Sequence, residues 1–524
     1  MIIINSGAYV IAEFQAEMGR IPPCMLPIGN KKLIENQVQE IRKNHPDEQI
    51  YVTLPESYIL TVNENRLLSE LSVTPIAAND EFTLAESILF ALNTSDTDDQ
   101  EVIRLIHGDT LIINLPHPSR ANFLGVAYSA DDYNWQTEPT DDGRDLVWCG
   151  FFSFDRRKDL IQSLALSRGN FVKAVQTYRQ RHYMDLLLLE NWHDLGHVNT
   201  YFRSRAAITT QRAFNTLQVV QGVVYKTGEP DIKIQAEGSW FENLPVYLKK
   251  FAPQLIDRGV SHNNQSYYKL EYLPIMPLNE LFVHGRNSAN EWRKLFELAG
   301  QFLQLCTNSS ISPETQALIS KDFDLLIADK TRHRLNTYSS QTGLDLNRPV
   351  YYAGQALPSV FEIAEECIKK SRLLPASPAI MHGDFCFSNI LFDSRADQIK
   401  VIDPRGITTT NELTLYGDQK YDLAKLAHSV IGLYDFIIAG RYKIFVHHQY
   451  HLELDFELDE RICEIQTIFR NHQFGGNLTI AQIIPLVVLL FLSMLPLHQD
   501  RPDRQQAMLA NALRLFSQTT HKTR

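Results

Sequence analysis

The sequence predicts two dissimilar folds in one chain: an α/β domain with a mostly parallel sheet, followed by a bilobal α+β domain. Three observations carry this. The 524 residues exceed what a single hydrophobic core organises. Up to about residue 205, short apolar runs alternate with helical patterns, as expected for a sheet with helices on its faces. From about 216 a strand-rich stretch gives way, near 289, to almost purely helical periodicity. The expected boundaries are therefore 1–205, a linker at 206–215, a small lobe at 216–288 and a helical lobe at 289–524.

In the first domain IIIN, QIYVTL, VIRLIHGD and VWCGFFSF read as strands, and KKLIENQVQEIRKN as an amphipathic helix. The start, MIIINSGAYV, has no basic segment before its apolar run and reads as a first strand, not a signal peptide. RSRAAITTQRAFN is polar and weakly periodic, which places the boundary there. TLQVVQGVVYKTG is strand-rich, IQAEGSWFENLPVYLKKF is helical and YYKLEYLPI is another strand. The run IIPLVVLLFLSMLPL is shorter than a bilayer span and contains Pro485, Ser493 and Pro496, so a buried helix is expected and no membrane span.

Composition is 44% hydrophobic and 21% charged. The net charge of −11, with no basic run, argues against a nucleic-acid partner. Nucleotides remain possible partners, because a bound metal ion supplies local positive charge. Six cysteines (Cys24, Cys149, Cys306, Cys367, Cys386 and Cys463) lack any CxxC spacing, which fits a reducing compartment without disulfides or zinc. A cytoplasmic location is the expectation.

Two neighbouring stretches carry the chemistry. MHGDFCFSNILFD contains His382, Asp384 and Asn389 as HxDxxxxN, and VIDPRG contains Asp403. Phosphoryl transfer from ATP needs such a set. One carboxylate orients the attacking hydroxyl, while an amide and a second carboxylate hold Mg²⁺ against the triphosphate. Phe385, Phe387, Ile390 and Leu391 would anchor the loop. The other reading is a pair of capped turns. Arg405 suits either a phosphate contact or a structural salt bridge, and Cys386 reads as packing.

These residues resemble the aminoglycoside phosphotransferase and choline kinase group, relatives of the protein kinases. The resemblance implies a protein-kinase-like second domain with Asp384 as catalytic base, Asn389 as a metal ligand and Asp403 as the principal metal ligand. Lys226 at the end of a β run and Glu237 eleven residues on suit the Lys–Glu pair that positions ATP phosphates, with Lys233 the alternative lysine. LEYLP resembles the adenine-binding hinge, which assigns Glu271 and Leu273 to the nucleotide. GDQKYDLAKLAHS resembles the helix start whose aspartate, here Asp422, braces the catalytic loop.

The first domain resembles the sugar nucleotidyltransferases, which implies a nucleotide-diphospho-sugar transferase-like fold. PPCMLPIGNKKLIENQVQEI, LIHGDTLI, VWCGFFSFD and WHDLGHVNTYFRSR each match one of that family's segments. The resemblance makes Asp109 and Asp194 ligands of one Mg²⁺. Two departures stand out: NSGAYVIAEFQAEMGR has no GxG, and Pro23 replaces a lysine. Arg20 or Lys31 could restore the lost charge. Together the resemblances imply a kinase that phosphorylates a small hydroxylated metabolite with ATP. A nucleotidyltransferase would then add NMP from a second NTP, giving a precursor for capsule, lipopolysaccharide or a related surface glycan. The alternative is a small-molecule kinase whose first domain is idle and serves in recognition or regulation.

Overall fold

The computed structural model describes residues 1–95, 101–116, 121–129, 131, 133–140, 143–210, 216–475 and 478–520. The chain divides into two compact units, Met1–Thr209 with His284–Arg286, and Thr210–Val283 with Asn287–Arg524.

The first unit is built on an 8-stranded sheet in which seven strands run in the order 185–188, 123–128, 146–154, 103–107, 2–5, 50–55, 73–78 and the eighth, Thr137–Glu138, pairs with 146–154 off that path. All strands on that path run the same way except Leu146–Phe154, which is antiparallel to both neighbours. Ile2–Asn5 and Ile50–Pro55 are buried along their whole length, which is why their sequences are continuous apolar runs without alternation. Helix Leu33–Asn44 buries Leu33, Ile34, Val38 and Ile41, and Glu35 accepts the N–H of Lys32 at 2.7 Å to close its first turn. Ile3, Leu105, Leu124, Phe152, Phe154 and Tyr178 lie in one buried cluster on the sheet. From Ile2–Asn5 the chain crosses to Ile50–Pro55 on one side and later returns to Ile103–His107 on the other. The order therefore reverses between Ile2–Asn5 and Ile103–His107, and ligands of such sheets sit at the carboxyl ends of strands flanking that point.

Helix Val198–Thr210 takes up 206–210 of the expected linker, and 211–215 lie outside the described residues. The second unit opens with a four-stranded antiparallel sheet in the order 216–220, 223–227, 266–271, 255–260. The first two strands turn through Gln221 and Gly222, both at positive φ, which is the two-residue hairpin turn matching strand twist. IQAEGSWFENLPVYLKKF is two helices and not one. Asp231–Asn243 stops before Pro245, and Val246–Lys249 follows.

Beyond 289 the unit is helical, as expected, with one correction. Pro349–Tyr352, Gln355–Ser359, His451–Asp455 and Lys443–His448 form a second four-stranded sheet. These strands are short and largely exposed, so their alternation is weak against the surrounding helical pattern. The apolar run lies in helix Ile480–Met494 and its 3₁₀ continuation Leu495–His498, which is long and apolar enough to cross a membrane by composition but mostly buried. The fold class is thus the expected one: an α/β unit on a mostly parallel sheet, followed by an α+β unit whose small β-rich lobe precedes a helical lobe.

Candidate active sites

In the first unit, Ser6–Val10 and Gly108–Asp109 leave the switch point side by side, since Asn5 pairs with His107. The N–H groups of Gly7, Ala8 and Tyr9 make no hydrogen bond among the described residues. Successive free N–H groups form a concavity for anions. Gly7 is required there, because a Cβ would overlap the Ser87 hydroxyl. Thr110–Ile112 pairs with Trp192–Asp194, Thr110 opposite Asp194, and this brings the two predicted carboxylates together.

Asp109 packs its carboxylate on Gly196, where any Cβ would collide with it. Burial, and then the charge of Asp194, push Asp109 up to about 6. A divalent cation between them would relieve that repulsion, so the pair fits a metal. Asp194 is already engaged, since its Oδ2 accepts from the Thr200 hydroxyl and from His197 Nδ1 at 2.8 Å. The His197 ring stacks on Tyr133 at 4.0 Å, Trp135 meets it edge-on at 5.5 Å, and Trp192 meets Trp135 at 5.4 Å. A 360 Å³ cleft beside Asp194 is lined by Trp135, Trp192, Thr200 and Arg203 among others. Its ring faces suit a sugar or a base. Arg20 does not stand free: it bonds Asp80 at 3.2 Å and lies 4.0 Å over the Tyr9 ring. Lys31 lies in a two-residue strand paired with Ile28.

In the second unit, strand Val223–Thr227 carries Lys226 one residue before its end, and helix Asp231–Asn243 presents Glu237 to it. Lys226 Nζ donates to Glu237 Oε2 at 2.7 Å and to Asp403 Oδ1 at 2.9 Å. The Tyr268 hydroxyl also donates to Glu237 Oε2, at 2.7 Å. Lys233 stays 3.7 Å from Glu237, so Lys226 is the lysine in the pair. Asp403 sits at φ 56°, immediately before Pro404. Left-handed backbone there costs an L-residue roughly 1–2 kcal/mol, and strain of this kind concentrates where a side chain must be aimed. Asp403 Oδ2 has no hydrogen-bond partner among the described residues.

The HxDxxxxN loop is held from behind. Asp422 accepts the N–H groups of His382 at 2.8 Å and Gly383 at 2.7 Å. The carbonyl of Ile402 accepts a hydrogen bond from His382 Nε2–H at 3.0 Å, so Nδ1 is left to accept the Asp384 N–H at 3.3 Å. That tautomer is neutral, and burial drives the imidazole down to about 4. Asn389 Nδ2 donates to the Asp384 backbone carbonyl at 2.9 Å and to its Oδ2 at 3.0 Å, which keeps the amide oxygen away from that carboxylate. Lys425 Nζ lies 2.8 Å from Asp384 Oδ1. Burial alone would raise Asp384, but the Lys425 ammonium outweighs it and holds the carboxylate below its ordinary range.

At the predicted hinge, the Glu271 N–H bonds Gln254 and the Tyr272 N–H bonds Gly222, while the Leu273 N–H carries no bond among the described residues. Sequence reasoning missed Lys425. The only trace was a lysine one turn beyond Asp422 on an otherwise buried helix face. Among the described residues Arg405 makes no salt bridge, and its Nη1 is buried without a hydrogen bond. Cys386 is buried, as packing requires.

Solved structures of two kinds are similar to parts of this chain. A nucleoside-diphosphate-sugar pyrophosphorylase from Vibrio cholerae is 18% identical over 39% of this chain and 99% of its own, with a TM-score of 0.33. A UTP-bound UGPase from Acinetobacter baumannii is 14% identical over 40% of this chain and 93% of its own, with a TM-score of 0.31. A thermostable mutant of the aminoglycoside phosphotransferase APH(4)-Ia is 14% identical over 58% of this chain and 89% of its own, with a TM-score of 0.35. No protein-family model matches the sequence, and no curated protein does.

Proposed function

We propose that this chain is a bifunctional transferase of the cytoplasm. Its second unit phosphorylates a small hydroxylated metabolite with ATP, and its first unit transfers a nucleotidyl group from an NTP to that phosphate. The product class suits surface-glycan precursors. The observation that carries the reading is the Lys226–Glu237 pair reaching Asp403, in the same unit as a braced Asp384 that stays ionised.

Asp384 takes the proton of the acceptor hydroxyl as its oxygen attacks the γ-phosphorus, the bond to the β-phosphate oxygen breaks, and ADP leaves. Lys226 orients the α- and β-phosphates, and Glu237 orients Lys226. Glu271 and Leu273 offer backbone groups to adenine, Leu273 through its free N–H. The Asp403 carboxylate and the Asn389 amide oxygen would hold Mg²⁺, whose hard oxygen-ligand preference they meet. The cation would neutralise the phosphates. Among the described residues no three His, Cys, Asp or Glu side chains group as a metal cage, which fits an ion completed by substrate phosphates and water. In the first unit, Asp109 and Asp194 would hold the ion for attack of a phosphate oxygen on the α-phosphorus, with pyrophosphate leaving.

The test is full-length protein with Mg–ATP and a metabolite extract, read for phosphorylated products by mass spectrometry, then for pyrophosphate release with each NTP. Asp403→Ala should lose about a thousand-fold in phosphotransfer, ~4 kcal/mol of transition-state stabilisation, with unchanged circular dichroism. A variant within threefold of wild type removes Asp403 from the site. A second reading, an idle first unit, is favoured by two observations: Arg20 is spent on Asp80 and Tyr9, and Asp194 is spent on His197 and Thr200. No pyrophosphate with any NTP would establish it.

A further inference from the structure

Around Asp384 the second unit gathers more positive charge than phosphoryl transfer from ATP accounts for. Lys425 lies 2.8 Å from Asp384. Arg405 follows Asp403 and Pro404, and a Cβ placed on Gly383 would lie 2.5 Å from its Cβ and 3.2 Å from its Cδ. The arginine stem therefore runs along the backbone just ahead of Asp384, and its Nη1 ends buried with no acceptor. Lys330 and Arg334 stand one turn apart on helix Lys330–Thr342, entered through the π-helical turn Leu325–Asp329. The preceding helix is tied to the loop beyond Arg405, because Asp322 accepts the Thr409 N–H at 2.6 Å and its hydroxyl at 2.5 Å. Arg334 spends one nitrogen on the Ser493 carbonyl at 2.8 Å. The Lys330 side chain makes no hydrogen bond or ion pair among the described residues.

We propose that Lys330, Arg334, Arg405 and Lys425 form an anion-binding wall of the acceptor subsite, so that the hydroxylated acceptor carries a carboxylate or phosphate of its own. This rests on the phosphotransfer reading of the same unit. Lys330, Arg334 and Arg405 have no carboxylate within ion-pair distance among the described residues, and cations so placed are costly in a partly buried place unless a ligand supplies the missing anion. ATP does not supply it, since Lys226 and the metal-holding residues already serve the triphosphate. Lys425 can follow the moving γ-phosphoryl from its place at Asp384, but Lys330 and Arg334 then still lack a counter-charge, and the buried Arg405 nitrogen an acceptor. Burial, then repulsion from Arg334, Arg405 and Lys425, lowers Lys330 to about 7, as expected of a cation held ready for an absent anion. An oxyacid group set a few bonds from the reacting hydroxyl would pair with these cations and leave that hydroxyl at Asp384.

The experiment is calorimetry on full-length protein with Mg²⁺ and a non-hydrolysable ATP analogue, titrating glucuronate, glucose 6-phosphate and glucose. At least one of the two acids should bind about tenfold tighter than glucose, ~1.4 kcal/mol. Which acid gains tells a carboxylate acceptor from a phosphate one. A Lys330→Met, Arg334→Met double variant should erase the preference while the ATP analogue binds within about twofold of wild type. The single Lys330→Gln, a milder change, should reduce the preference at an unchanged melting temperature. Equal binding of glucose, no binding of either acid, or variants that weaken the ATP analogue instead would overturn the proposal. Failure of the analogue itself to bind would instead sink the phosphotransfer reading.

Discussion

Asp422 and Lys330 both act through charge at single positions, and each yields a measurable consequence. Asp422→Ala leaves the N–H groups of His382 and Gly383 buried without acceptors. Each orphaned group costs about 1–3 kcal/mol, so the variant should melt well below wild type and lose phosphotransfer. Asp422→Asn, which keeps one acceptor oxygen, should fall between the two. Lys330 faces Arg334, Arg405, Lys425 and Asp384. Asp384 is held low and Lys425 is pushed up, while Asp422 and Asp435, which face Lys425, are raised by burial to about 7, so the group that Lys330→Arg alone removes from this window is Lys330, lowered to about 7. Its charge is full below that value and lost above it. Calorimetric affinity for the preferred acid should therefore fall between pH 6 and 8.5, and Lys330→Arg should flatten the fall. A flat wild-type profile would exclude Lys330 from the acceptor subsite.

Between elements, the tightest constraint is at Gly406. It sits at φ 61°, and a Cβ there would overlap the carbonyl oxygen of Ala236 in helix Asp231–Asn243. That helix also carries Glu237, so Gly406→Ala pushes on the element that orients Lys226. The expected outcome is loss of more than about 1 kcal/mol of stability from the left-handed backbone alone, together with weaker binding of the ATP analogue. A variant with wild-type melting temperature and nucleotide affinity would show that the helix gives way freely.

What could be read in advance follows the same geometry. Asp384, Asn389 and Asp403 stand on one loop and the turn after a hairpin, so their spacing is local and shows in the sequence. Lys226 and Glu237 are equally close along the chain. Lys425, Lys330 and Arg334 stand on helices whose 3.6-residue pattern is explained by burial, and nothing local marks which polar position faces a distant carboxylate. The sheet formed by 349–359 and 443–455 escaped notice for a related reason: the pairing that joins its two hairpins links Tyr351 to His451 and Tyr352 to Leu452, far apart along the chain. The left-handed turn at Asp403 has no local signature either, and Pro404 after it argues for extended backbone.

For the whole molecule, the first unit offers the sharpest test of whether both sites are active. Asp109→Asn and Asp194→Asn should each abolish nucleotidyl transfer, and the double variant should be little worse, because ligands of one ion act as a unit. Phosphotransfer should not change, since those residues belong to the other core. Stability should move in the opposite direction for Asp109. Its folded value, raised to about 6, means the protonated form is favoured at low pH and that stability is lost as pH rises through that value. At pH 7.5 Asp109→Asn removes the repulsion from Asp194, and the melting temperature should rise while activity falls. A lower melting temperature would mean that Asp109 serves the fold and not a metal.

That the two units are segments of one polypeptide fixes something no side chain can. Every molecule synthesised carries one copy of each site, so expression cannot adjust the ratio of the first activity to the second. On the proposed bifunctional reading, balance between making the phosphorylated intermediate and consuming it has to be written into the turnover and saturation of the sites themselves. If the kinase is the faster, the intermediate accumulates and is free to feed other reactions. If the nucleotidyltransferase is the faster, the cell sees only the finished product. Relative rates, and not protein abundance, then decide whether this chain behaves as one enzyme or as two.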